Sequence, residues 1–336
     1  MEKIPEFKPV KGYVPVLEQA VLHPDGWEIV IFVFPVCEGT CAHCWSSETY
    51  FGRTVGFDWY LNFFSKINFS KIREIRLSGG DPFLYKELGN LIDLINYSSG
   101  GKTKITILTA GLGFVSLNPN ASGVENTILN LKKIGVIKPQ ISIHLSADEN
   151  HAGSLFRYDN GIKKRPTSLE KIREENYQGF ALVETQAKNF LKAMDILSKE
   201  EKGFRGGKLK VHAESGRLPE YRQRVFSWIN DADWQEKVES SEGLFNSGQA
   251  AKNFENNIKI LPSPQLSLFI MPGAEFYYQP ISKHSQAYNF KGKGFSQVYL
   301  DNSKNNLGAA VIGFWNLLEK NFYGGNALEV AKKYLR

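Results

Sequence analysis

The sequence contains little cysteine: only three of its 336 residues are cysteines. All three lie within eight positions of one stretch, FPVCEGTCAHCW, as Cys37, Cys41 and Cys44. An odd and clustered number of cysteines, in a chain without a secretory signal, argues against a disulfide framework. It favours a metal or redox site instead.

Long apolar runs are also missing. The longest, residues 29–36, is far shorter than the roughly 20 residues that a membrane-spanning helix needs. The opening stretch, MEKIPEFKPVKGY, alternates charges with prolines and lacks the apolar centre of a signal peptide. We therefore expect a cytoplasmic protein with no membrane partner.

A strong charge of one sign is absent as well. The net charge of +6 is modest and spread along the chain, without aromatic-interleaved basic repeats, so we expect no nucleic-acid partner. The densest basic stretch, GIKKRPTS, contains Lys163, Lys164 and Arg165. It is either a solvated loop or a contact for an anionic substrate or peptide.

The chain is otherwise typical of a globular protein, with 42% apolar and 23% charged residues. Apolar β-branched runs alternate along it with helical patterns, which predicts a parallel sheet with right-handed crossovers. The predicted strands are 28–36, 72–80, 104–111, 140–148 and 209–215, and the predicted helices are 57–67, 84–96, 124–135 and 185–200.

Three further regions have patterns of their own. The polar stretch 149–184 interrupts the alternation, and a connection of that length is usually a lid or binding loop. Residues 264–280 predict two strands around a Pro-Gly turn. The stretches GAAVIGFWNLLEKNF and NALEVAKKYLR predict closing helices.

The cysteines directly follow the first predicted strand. In parallel α/β folds ligands bind at the carboxyl ends of the strands, so this stretch lies at the functional edge. Three thiolates on a [4Fe–4S] cluster leave one iron without a protein ligand, which suits a catalyst better than an electron carrier. A zinc site using His43 is the alternative, but His43 is adjacent to Cys44 and poorly placed to join it around one ion.

The C-x3-C-x2-C spacing, with His43 before the last cysteine, resembles the cluster motif of the radical S-adenosylmethionine (radical SAM) superfamily. LSGGDP, at the end of the second predicted strand, resembles the family's Gly-Gly-Glu/Asp motif. TAG at 109–111 resembles a Thr-Asn-Gly motif, from which Ala110 departs. The resemblance covers about residues 28–216. It implies an α/β fold, a partial (β/α)6 TIM-like barrel with a C-terminal extension.

The resemblance also implies the chemistry. The three cysteines would be the catalytic metal ligands of a [4Fe–4S] cluster, and SAM would chelate the open iron. An electron from an external donor such as flavodoxin or ferredoxin would cleave SAM to methionine and a 5′-deoxyadenosyl radical, which abstracts hydrogen from the substrate. The cofactor-binding residues implied or proposed are His43, Ser78, Gly79, Gly80, Asp81, Thr109, Ser142, His144, Arg157 and Glu214.

Several of these positions have two interpretations. Asp81 either accepts from the methionine ammonium of SAM or caps a tight turn. Arg157 contacts the SAM carboxylate or forms a salt bridge at the surface. His151 lies in the same stretch, SADENHAGSLFR, and resembles the His that often accompanies this Arg in the family. Glu214, on the same side of its strand as His212, meets SAM or the substrate.

Ser142 and His144 alternate with Ser146 on the fourth predicted strand, so the three share one face. We expect them to face a barrel interior otherwise lined with Ile and Leu, where polar groups need partners such as SAM. For His144, a histidine satisfied within the core is the alternative.

The substrate is predicted less directly. A peptide or protein is our first hypothesis and a small metabolite or nucleotide our second, while a non-catalytic iron–sulfur or zinc-binding protein is the third. Since no cysteine remains, a second cluster bound by cysteine and a cysteine hydrogen donor are both disfavoured. We expect an N-terminal segment at 1–27, a core at 28–219 containing the insertion 149–184, and a substrate-binding or capping region at 220–336.

Overall fold

The computed structural model describes residues 27–34, 41, 56–64, 69, 72–164, 166–211, 235–240, 266–270, 276–280 and 296–298. Several sequence predictions lie outside these residues. They are the roles of Cys37, His43, Cys44, Arg165, His212 and Glu214, and the two closing helices.

Strands and helices alternate through the first part of the chain, as the sequence predicts. The strands are β1 (Trp27–Phe34), β2 (Ile72–Gly79), β3 (Lys104–Thr109), β4 (Ile141–Ser146), β5 (Gly207–Val211) and β6 (Val238–Ser240). The helices are α1 (Phe57–Phe64), α2 (Leu88–Ser99), α3 (Ala121–Ile134), α4 (Glu149–Asp159), α5 (Leu169–Gln178) and α6 (Phe180–Glu200). Gly100 and Gly135 end α2 and α3 in the left-handed conformation that glycine adopts most readily.

The described strands form one nine-stranded sheet in the order β6-β5-β4-β3-β2-β1-β7-β8-β9. Strands β1 to β6 pair in parallel with their sheet neighbours. The predicted α/β class and the parallel strand order are confirmed. The described strands leave β6 and β9 as edges, so the sheet is open, as in a partial barrel.

Residues 264–280 were predicted to contain two strands around a Pro-Gly turn, and the two strands are confirmed. Strands β7 (Leu266–Ile270) and β8 (Phe276–Pro280) pair antiparallel, and β9 (Ser296–Val298) follows. The sequence did not predict that β7 lies parallel to β1 and extends the same sheet. β6 was not predicted either, because three residues are too short for a hydrophobic pattern.

One face of the sheet forms the apolar core. Ile29, Ile75, Ile105 and Ile141 are fully buried and lie side by side on adjacent strands. Buried residues of the helices complete the same cluster, among them Leu91, Ile95, Phe190 and Leu197. Because side chains alternate along a strand, the residues between these positions point to the opposite face.

The insertion 149–184 differs from the predicted lid or loop. It consists of helices α4 and α5 and the first turn of α6. Asp148 accepts from the backbone amides of Asn150 and His151 to begin α4, and Ser168 accepts from the amide of Lys171 to begin α5. These helices were not predicted because their buried positions include polar residues that pair with one another. The helical periodicity of apolar residues in the sequence is therefore weak.

Among the residues that the structure describes, no helix has both the length and the apolar character that a membrane span requires.

Candidate functional site at the carboxyl ends of strands β1 to β4

Strand pairing brings the two principal motifs together. Phe34, three residues before Cys37, pairs with Gly79 where β1 and β2 end. The chain therefore enters the cysteine stretch directly beside the Gly-Gly-Asp sequence. Gly79 has a φ of 129°, a backbone conformation that residues with a side chain rarely adopt. Ser78 lies just before it, opposite Phe32 of β1.

Asp81 follows Gly80 and is fully buried. Its Oδ1 accepts from the backbone amide of Phe83 at 3.1 Å, so Asp81 caps the 3-10 turn Pro82–Leu84. The Thr109 hydroxyl lies 2.9 Å from both of its oxygens. Burial raises the pKa of Asp81 to about 6, against the opposing effect of these hydrogen bonds. The capping interpretation is therefore correct at this position, and contact with SAM stays a prediction.

Thr109 connects Asp81 to the backbone that follows β3, at Gly111. Its hydroxyl oxygen accepts from the amide of Gly111 at 2.9 Å, while the hydroxyl hydrogen is directed to Asp81. Gly111 has a φ of 74°, and a Cβ there would lie 2.6 Å from Cδ1 of Leu145. Only glycine suits this position. The backbone carbonyl of Ala110 accepts from Nε2 of Gln186 on α6 at 3.0 Å, a contact that the sequence did not predict.

Cys41 is the cysteine that the structure describes, and it is buried. Its side chain lies beside His151 on α4. The Ser154 hydroxyl lies near the same sulfur, without a bond of full hydrogen-bond geometry. Burial acts to raise the pKa of the Cys41 thiol, but the combined effects of the neighbouring His151 and Ser154 outweigh it and the pKa is lowered.

His151 in turn contacts Asp148, with Nδ1 2.9 Å from Oδ2. Burial acts to lower the pKa of His151, but the negative charges of Asp148 and Cys41 raise it well above its usual value. The charge of His151 also acts on Asp81. The side chains of Cys41, Asp148, His151 and Asp81 thus lie together at one edge of the sheet.

The sequence analysis named His151 but missed Asp148 and Ser154. A signal for Asp148 was present, because an Asp just after a strand and before a helix is a preferred N-cap. No pattern pointed to Ser154, since its position near Cys41 depends on how α4 packs against a distant part of the chain.

Ser142 and His144 share a face of β4, as predicted. Their surroundings differ from the expected Ile and Leu lining, because those residues face the helices. The polar face, as we name it, also carries charged residues from five other strands. Its members are Glu28, Glu74, Arg76, Lys104, Thr106, Ser142, His144, Lys210 and Glu239.

Ion pairs connect the polar face across strands. Nη2 of Arg76 lies 3.1 Å from Oε2 of Glu28, and Nζ of Lys104 lies 3.3 Å from Oε1 of Glu74. The Thr106 hydroxyl donates to the same Glu74 oxygen. Burial acts to raise the pKa of Glu74, but the contacts with Arg76, Thr106 and Lys104 together outweigh it and the pKa is lowered.

His144 lies beside these charges. Its Nδ1 is 3.4 Å from Oε2 of Glu239 on β6. Burial lowers the pKa of His144 to about 4, and the nearby cations act in the same direction. The imidazole is therefore neutral near pH 7.

Arg157 is almost fully buried and forms an ion pair with Glu175 that joins α4 to α5. A second contact between the same helices, from Nδ2 of Asn176 to Oε1 of Glu149, measures 3.4 Å. Arg157 thus has a structural partner in Glu175. The salt bridge that the sequence analysis gave as an alternative exists, but it is buried and does not lie at the surface. Contact of Arg157 with SAM stays a prediction.

The chemistry of Cys41 fits an iron–sulfur ligand, since such clusters are held by Cys thiolates and the pKa of this buried thiol is lowered by its neighbours. Within the described ranges, no group of three His, Cys, Asp or Glu side chains is placed to hold a metal ion. The other two cysteines lie outside those ranges.

No protein-family model matches this chain, and no curated protein matches it. Three solved structures of SuiB from Streptococcus suis are similar to it in fold. They are SuiB bound to precursor peptide SuiA (14% identity, TM-score 0.40), SuiB bound to S-adenosylmethionine (15%, 0.37), and SuiB itself (15%, 0.36). Each match covers 79% of this chain and 62% of the SuiB chain. Likeness at this level assigns no activity, substrate or partner.

Proposed function

We propose that this protein is a radical SAM enzyme. The observation that carries the proposal is that Phe34 pairs with Gly79 where β1 and β2 end, so the chain enters the cysteine stretch beside the Gly-Gly-Asp sequence. Cys44 and Asp81 are 37 residues apart in sequence. Two motifs that follow the carboxyl ends of adjacent parallel strands support a common site.

In the proposed enzyme Cys37, Cys41 and Cys44 hold a [4Fe–4S] cluster with one open iron for SAM. With an electron from an external donor such as flavodoxin or ferredoxin, cluster and SAM would supply a carbon radical that abstracts hydrogen. This chain's own contribution is to lower the pKa of Cys41 and to place Asp81 at the end of β2. Burial favours contact of Asp81 with a cationic partner, because an ammonium would compensate its charge.

We further propose that the substrate is a peptide or protein. The polar face supports this, because charged groups spread over several strands can bind charged side chains along an extended chain. The open sheet supports it too, since a closed barrel would restrict access. A small metabolite or nucleotide is the second candidate, favoured by the half-buried cations Arg76 and Lys210, which suit a carboxylate or phosphate.

The assignment is tested by anaerobic reconstitution with iron and sulfide. We expect about four irons per chain, because three thiolates leave room for SAM on a four-iron cluster. Reduction in the presence of SAM should yield 5′-deoxyadenosine, measured by chromatography. Replacing Cys37, Cys41 or Cys44 with Ala should abolish this product, whereas Lys132→Ala on the surface of α3 should not. Two irons, or stoichiometric zinc, would contradict the proposal.

The substrate class needs a separate experiment. The reconstituted enzyme would be incubated with short peptides encoded beside its gene and, in parallel, with metabolite and nucleotide mixtures. Formation of 5′-deoxyadenosine that depends on a peptide, with a mass change in that peptide, supports our first candidate. Stimulation by metabolites or nucleotides alone would replace it with the second.

A further inference from the structure

Lys210 lies on the polar face, close to the functional edge of the sheet. It is the last residue but one of β5, and it pairs in register with Ser146, the last residue of β4, and with Glu239 of β6. The carboxyl ends of β4 and β5 continue the edge at which β1 and β2 lead into the two predicted motifs. Ligands of parallel α/β folds bind along this edge.

The cations of the polar face differ in their partners. Nη2 of Arg76 lies 3.1 Å from Oε2 of Glu28, and Nζ of Lys104 lies 3.3 Å from Oε1 of Glu74. Lys210 is half-buried, and among the residues that the structure describes its ammonium has no ion pair and no hydrogen bond. Lys210 is therefore a cation at the functional edge whose charge no described side chain neutralises by contact.

The surroundings of Lys210 favour an anionic ligand. Glu239, its partner in register, has its carboxylate Oε2 3.4 Å from Nδ1 of His144. Burial and the charge of Arg76 lower the pKa of Lys210, although Glu239 acts in the opposite direction. An ammonium that has lost part of its hydration without gaining a carboxylate is stabilised when an anion binds to it.

We propose that Lys210, together with the Ser146 hydroxyl, binds an acidic side chain of the peptide substrate. An ammonium and a hydroxyl can both donate to carboxylate oxygens. The Ser146 hydroxyl is half-buried and has no hydrogen bond within the described ranges. A phosphate suits the site less, because its second charge would meet one ammonium only and would be repelled by Glu239. This inference deepens the proposed function and rests on it, since it calls the peptide a substrate.

The probe is a pool of random hexapeptides that are acetylated and amidated, so that side chains carry the only carboxylates. The pool is passed over the immobilised, reconstituted full chain, and the retained peptides are sequenced by mass spectrometry. For the wild type we expect Asp or Glu to be enriched over Asn and Gln at one position by at least about tenfold. Lys210→Met should lose this enrichment, and Lys210→Arg, which retains a cation, should recover part of it.

Lys208→Met is the matched control. Lys208 lies two residues earlier on the same face of β5, opposite His144, but it is exposed and water solvates its ammonium. This variant should retain acidic peptides as the wild type does. Equal losses in Lys208→Met and Lys210→Met would overturn the inference, because the positive charge of the whole strand would then attract the peptides.

Two further measurements separate peptide binding from other roles of Lys210. Lys210→Met should unfold in denaturant at no lower concentration than the wild type, because no ion pair is lost; a strong loss of stability would assign Lys210 a structural role instead. Its affinity for SAM should also be unchanged. A lower SAM affinity with unchanged peptide retention would assign Lys210 to the SAM carboxylate and overturn the inference.

The remaining outcomes distinguish the inference from the function on which it rests. No preference for acidic peptides in the wild type, or the same preference in Lys210→Met, overturns the inference. Retention of nucleotides, instead of peptides, that depends on Lys210 also overturns it and assigns the site to a phosphate. Iron content is measured on every sample. A chain that loads no four-iron cluster yet retains acidic peptides through Lys210 contradicts the proposed function and supports the carboxylate site.

Discussion

The Thr109 hydroxyl lies 2.9 Å from both carboxylate oxygens of Asp81 and accepts from the amide of Gly111, so one side chain joins the ends of β2 and β3. Asp81 also caps the following turn through the amide of Phe83. A buried carboxylate held by both Thr109 and the amide of Phe83 has a fixed position relative to a ligand at the strand ends. The predictions below begin with this group.

Asp81→Asn should weaken SAM binding by about 1.5–3 kcal/mol, because a charge-assisted hydrogen bond to the ammonium is lost. The cluster should be unaffected, so iron content is measured on the same samples, with affinity from calorimetry. Asp93→Asn, the same substitution on the exposed side of α2, is the control. Unchanged SAM affinity in Asp81→Asn would leave Asp81 with a capping role alone.

The same variant should be more stable than the wild type when no ligand is bound. The pKa of Asp81 rises from its usual 3.8 to about 6 on folding, so its charge costs stability as the pH rises through that interval. The cost above pH 6 is at most about 3 kcal/mol. Denaturant unfolding of Asp81→Asn should therefore show a gain at about pH 7.5 and almost none near pH 4. Equal gains at both values would contradict the role of this ionisation.

The pH dependence of His144 has the opposite sign. Its pKa falls to about 4 on folding, so the folded state binds fewer protons than the unfolded state between about pH 4 and pH 6.5, and stability falls as the pH falls. The full loss is about 3 kcal/mol. His144→Gln should resemble the wild type at about pH 7.5 and exceed it in stability near pH 4. Parallel unfolding curves for the two proteins at every pH would exclude this effect.

Removing one partner of the buried Arg157–Glu175 pair should destabilise the protein strongly. Glu175→Ala leaves the guanidinium buried without its carboxylate, at a cost of about 3–5 kcal/mol. Glu200→Ala, which breaks the exposed pair with Lys132, should cost less than about 1 kcal/mol. Both are measured by denaturant unfolding of the protein without ligand.

A double variant separates the structural role of Arg157 from a role in binding. Arg157→Met combined with Glu175→Leu should recover most of the stability, because similar apolar volume replaces the pair. If SAM affinity is unchanged in this variant, Arg157 acts between helices only. A loss of affinity in the stable double variant would assign it contact with SAM as well.

Much of the fold followed from local pattern. Buried runs such as 72–80 and 104–111, each followed by a helical period, predicted parallel strands, and the sheet has them at β2 and β3. Helices α4 and α5 were not predicted, because residues such as Arg157 and Glu175 appear solvent-exposed in sequence yet are buried as partners. Three-residue β6 carried no pattern at all, and the position of β7 beside β1 is a long-range pairing that no local window contains.

The sequence by itself predicted which residues perform the chemistry and determined that they follow parallel strands. Cys41 and Asp81 were named from the resemblance of their motifs to those of a known family and from their place after strand ends, which meet at one edge of a parallel sheet. Only the tertiary structure decided what surrounds them. That His151 lies beside Cys41, that its ring lies 2.9 Å from Asp148, and that Arg157 pairs with Glu175 depend on how α4 packs against the sheet and α5. Such contacts join residues far apart in sequence through shape and charge, which a linear pattern does not encode.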